Sequence, residues 1–76
     1  MQVKLSEVHL IHPAPEPGPS RNVFQWYSVE RGYDLALTDA GIVITKGGLE
    51  RVIPMSNVIA YERAKVEVIA HQAVKK

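Results

Sequence analysis

The chain has 76 residues, 46% of them apolar and 22% charged, and nine Lys and Arg against eight Asp and Glu give a formal charge of +1. That length suits one domain with one core, and that composition belongs to a folding globular chain, not to a disordered one. Without cysteine there is no disulfide framework and no thiolate zinc site. The near-neutral balance argues against a general nucleic-acid binder, and no apolar run approaches the roughly 20 residues that span a bilayer. The N-terminus lacks the basic-then-apolar order of a signal peptide, so the expected location is cytoplasmic, with no membrane partner.

In chain order, Val3 and Leu5 alternate in one phase and Val8 and Leu10 in the other, which predicts a strand over residues 3–12 with a bulge near Ser6 and Glu7. Pro13, Pro15, Pro17 and Pro19 follow at every second position. Their fixed φ and missing N–H exclude helix and central strand, so an extended, stiff surface loop is expected over residues 13–22. Residues 22–30 read as a strand with Val23, Gln25, Tyr27 and Val29 on one face and Phe24, Trp26 and Ser28 on the other.

Arg31-Gly32 breaks that run, and Tyr33, Leu35 and Leu37 resume the alternation. Thr38-Asp39-Ala40-Gly41 and Gly47-Gly48 are turn sequences, so residues 33–53 form a three-stranded meander that Pro54 ends. Val58 to Tyr61 make a short final strand. Residues 64–76 carry Val66, Ile69, Ala70, Ala73 and Val74 at helical spacing, while Val66, Val68 and Ala70 also alternate as a strand; helix is favoured because Ala, Lys, Glu and Gln form helices readily. The fold expected is a mostly β single domain, residues 1–76, forming a small SH3-like barrel or curled antiparallel sheet of five to six short strands with a C-terminal helix.

Catalytic chemistry finds little support. His9 and His12 lie three residues apart and on a strand point to opposite faces, without a cysteine to complete a metal site. The eight acids show no paired spacing, Gly47-Gly48 lacks the Lys-Ser/Thr of a phosphate loop, and no serine has a nucleophile-elbow context. The expectation is a non-enzyme with no cofactor and no metal.

Arg21, Phe24, Trp26, Tyr27 and Arg31 place aromatics beside cations at the end of the proline loop. Trp, Tyr and Arg dominate binding hot spots because each joins a large contact area to a polar end. Pro15, Pro17, Arg21, Trp26, Tyr27 and Arg31 are therefore the candidate partner-binding residues, although a lone Trp also suits the centre of a small core, and Tyr27 and the two arginines read as the surface members. In a nucleic-acid reading, Phe24 and Tyr27 would stack bases while Arg21, Arg31, Lys46, Arg51 and Arg63 meet phosphates. A third reading is a self-assembling subunit that pairs through an exposed strand edge as a homo-oligomer.

The segments Ser28-Val29-Glu30-Arg31-Gly32-Tyr33-Asp34-Leu35 and Arg51-Val52-Ile53-Pro54-Met55-Ser56-Asn57-Val58 resemble those of small accessory proteins of tailed bacteriophages, over roughly residues 22–62. The resemblance implies a viral protein that works without catalysis, by covering a host protein such as RNA polymerase or a nuclease, or by binding DNA. No catalytic motif travels with it.

Overall fold

One long strand, β1 (Val3–Pro15), organises the sheet in the computed structural model, which describes residues 2–64. The other strands are β2 (Val23–Ser28), β3 (Asp34–Thr38), β4 (Gly41–Lys46), β5 (Leu49–Ile53) and β6 (Val58–Arg63). One edge of β1 carries β6, and the other carries β3 beside Val3 to Leu5 and then β2 beside Glu7 to Pro15. β2 and β3 are thus successive lengths along one edge, parted by the 3-10 turn Val29–Arg31 and by Gly32 in the left-handed region. The meander β3-β4-β5 extends that side, and all pairings are antiparallel.

The result is mostly β, a curled six-stranded sheet shaped as a half-barrel, as the alternation of apolar residues requires. Leu5, Val8, Leu10, Tyr27, Tyr33, Leu35, Ile42, Ile44 and Ile53 fill its concave side. Val8 shows the logic of the register, lying between Tyr27 on β2 and Tyr61 on β6. The bulge expected near Ser6 is present, because the β1-β6 register shifts between Leu5 and Glu7.

Both turns follow their chemistry. In the β3-β4 turn the Thr38 hydroxyl accepts from the Ala40 N–H at 3.1 Å and donates to the Gly41 carbonyl at 3.0 Å. Gly41 has φ 124°, and a Cβ there would sit 2.3 Å from the Ile53 carbonyl oxygen, so no larger residue fits. Gly47 and Gly48 both take positive φ, the mirror-image turn that matches the twist of paired strands.

The proline segment departs from expectation. Pro13 and Pro15 belong to β1, and Ala14 and Pro15 pair with Phe24 and Val23. A central strand tolerates them here because its register jumps between His9 and Ala14, leaving a wide bulge opposite Gln25. Two side-chain amides replace the lost ladder. Gln25 Nε2 donates to the carbonyls of Leu10 (3.3 Å) and Ile11 (3.1 Å), while Asn57 accepts from the His12 N–H (2.8 Å) and donates to its carbonyl (3.1 Å). The strand expected to Glu30 ends at Ser28, where the chain coils through Val29–Arg31. The final strand runs on to Arg63. The helix expected over residues 64–76 lies, apart from Ala64, outside the described residues.

Candidate functional site: an open aromatic platform and a closed loop

Along the outer face of the sheet, Ala60 on β6, His9 on β1 and Trp26 on β2 stand in one row. The His9 and Trp26 rings stack at 6.0 Å between centroids and 17° between planes. The Arg31 guanidinium lies 5.2 Å from the Trp26 ring centroid and 5.0 Å from that of Phe24, and Nη1 donates to the Trp26 carbonyl at 3.2 Å. Glu7 also contacts His9, with Oε2 3.1 Å from Nε2. Trp26 is 41% exposed, a large aromatic in contact with His9 and Arg31 yet open to solvent.

Alternation places Tyr27 on the opposite side. It is 0% exposed, packs edge-on against Tyr33 at 4.8 Å and Phe24 at 5.8 Å, and its hydroxyl donates to the Ala14 carbonyl. Burial, helped by the charge of Glu16, pushes its phenol pKa up. The expectation of Tyr27 on the surface and Trp26 at the core centre is therefore reversed. Aromatics stood on both faces of β2, and the inward face is the one whose hydroxyl can reach a backbone acceptor.

The loop after β1 is closed, not open. Glu16 is only 5% exposed, and its carboxylate accepts from the Tyr33 hydroxyl (2.7 Å), Lys46 Nζ (3.3 Å) and Asn22 Nδ2 (3.4 Å). Its N–H donates to the Asn22 carbonyl at 3.1 Å. Hydrogen bonds from Ser20 and Tyr33, aided by Lys46, overcome the effect of burial and hold its pKa at about 2, below the ordinary 4.5. Burial and the bond to Glu16 push Tyr33 up to about 12. Pro17 is buried and Pro15 half-buried, while Pro13 and Pro19 are exposed; Pro17 is removed from the contact surface expected of it.

The cations of the nucleic-acid reading are not gathered on one face. Lys46 is engaged by Glu16 and lies 5.1 Å from the centre of the Tyr33 ring. Arg51, opposite the buried Ile44, shares the inner side of the sheet, and its Nε is buried without a partner among the described residues. Arg31 is held against Trp26 and Phe24, while Arg21 and Arg63 are exposed on β2's approach and at the end of β6. Glu16 and His9 are the residues that spacing alone did not single out for the two clusters; their partners lie up to 30 positions away.

Among the described residues no three His, Cys, Asp or Glu are grouped to hold a metal ion, and no helix is long and apolar enough to cross a membrane. No family model, curated protein or solved structure matches this chain.

Proposed function

We propose that this chain is a non-catalytic docking module that engages a protein through the outer face of β1 and β2, with Trp26 as the anchor. The observation that carries the reading is the exposed indole, stacked on His9 and flanked by Arg31. An aromatic fixed before contact loses little side-chain entropy on docking, so its buried area converts efficiently into affinity. The dispersed cations favour a protein over nucleic acid, since a polyanion is held by charges converging on one groove. That the partner is a host protein is what the phage-like segments imply.

Capture from a bacterial host lysate by the immobilised chain tests the proposal. Trp26→Ala and Arg31→Glu should each weaken capture at least about tenfold while circular dichroism stays unchanged, as expected of a hot spot. Capture that survives both substitutions places the contact elsewhere. Capture of nucleic acid that vanishes steeply with added salt would support the electrostatic alternative.

A further inference from the structure

β5 ends the meander with one edge unpaired: β4 lies along one side, and among the described residues no strand lies along the other. Such an edge presents N–H and C=O groups to any chain that can align with it. Glu50 and Val52 point outward, while Leu49, Arg51 and Ile53 share the inner side, where Ile53 is buried. Arg51 makes no hydrogen bond or ion pair among the described residues, although its Nε is buried. A buried donor without an acceptor costs free energy until one reaches it. Beside Leu49 lies a cleft of about 490 Å³, lined by Pro17, Pro19, Lys46 and Leu49.

An inward charge on an edge strand opposes indiscriminate pairing. If two β5 strands paired antiparallel about a two-fold axis, the residue opposite Arg51 would be Leu49, Arg51 or Ile53 of the second copy, because opposite residues share a face, and none of these brings an acceptor. A strand that carries a carboxylate to that position turns the same arginine from a barrier into a selector, since a guanidinium takes a carboxylate through two N–H donors.

We propose that the free edge of β5 takes up an extended segment of a partner protein as an antiparallel strand, with an Asp or Glu opposite Arg51. Main-chain hydrogen bonds along the edge supply affinity, and alternate side chains supply the choice of sequence. The period of two sets the neighbours: an apolar residue opposite Val52 and a Lys or Arg opposite Glu50 on the outer face, and an apolar residue opposite Leu49, beside the cleft, on the inner side. This contact is separate from the Trp26 platform on β1 and β2.

Fluorescence anisotropy of a fluorescein-labelled peptide, Thr-Val-Val-Glu-Lys-Val-Thr, titrated with the full chain tests the proposal. Binding should be saturable, at least about tenfold weaker for the same peptide with Lys in place of Glu, and accompanied by slower amide exchange in residues 49–53. Arg51→Glu should reverse the preference between the two peptides. Arg51→Met, which removes the buried unpaired donor and keeps the fold, should bind both alike. No binding of the Glu peptide at millimolar chain concentration, equal binding of both peptides by the unaltered chain, a preference for Glu that survives Arg51→Met, or slowed exchange confined to β1 and β2 would each overturn it. Dimerisation of the free chain that the peptide reverses would give the edge to a second copy and overturn it too.

Discussion

Two clusters in this small protein use the same three ingredients, an acid, a cation and an aromatic ring, and put them to opposite uses. At the loop, Glu16, Lys46 and Tyr33 close over one another and the carboxylate is sealed from water. On the outer face, Glu7, His9, Trp26 and Arg31 are linked in a chain of contacts but leave the largest ring open. Burial separates them. A sealed charge must be fully paired or it costs stability, whereas a half-exposed ring keeps free surface for something else to cover.

The largest expected contrast is in folding. Tyr33→Ala removes a buried aromatic and should cost about 3 to 5 kcal/mol, a large fraction of the stability of a domain this size. Trp26→Ala should cost about 1 kcal/mol or less, because much of the ring is already in water. Chemical denaturation of the two variants checks this, and similar costs would erase the distinction between the clusters.

Next comes pH. Glu16 has its folded pKa depressed from 4.5 to about 2, so its contribution is complete above 4.5 and is lost as pH falls through that interval. Tyr33 has its pKa raised from 10.0 to about 12, so its contribution is complete below 10.0 and is lost as pH rises through that interval. Thermal melts across pH should show a plateau bounded by these two windows. Glu16→Gln should remove the acidic limb and bring the Tyr33 ultraviolet titration part of the way back toward 10.0.

The smallest effect concerns the cations. Arg31→Met should change stability by no more than about 0.5 kcal/mol, as for other exposed surface positions. Lys46→Met should instead shift the acid limb upward in pH, because Lys46 helps to hold Glu16 ionised. Melts of both variants at acidic and neutral pH separate the two roles.

Much of the fold was legible locally. The two glycine turns, the alternation of Leu35, Leu37, Ile42 and Ile44, and the phase change at Ser6 are short-range signals, and they correspond to the meander and the β1 bulge. The passage of β1 through Pro13 and Pro15 was not legible, because the groups that compensate it, Gln25 and Asn57, lie 14 and 45 residues from their acceptors at Ile11 and His12. The site divided the same way. Trp26 and Tyr27 were assigned to the wrong sides because alternation shows which residues share a face, not which face turns inward, and the burial of Pro17 follows from the Glu16 cluster, whose partners Tyr33 and Lys46 lie 17 and 30 residues away.

Trp26 is the only tryptophan, so its fluorescence reads one position without ambiguity. Acrylamide quenching of the native chain, compared with the chain in denaturant, tests the open platform most directly. The account predicts substantial quenching and red-shifted emission in the native state, in keeping with an indole that is 41% exposed. Blue-shifted emission that resists quenching until the chain unfolds would put Trp26 in the core and contradict it.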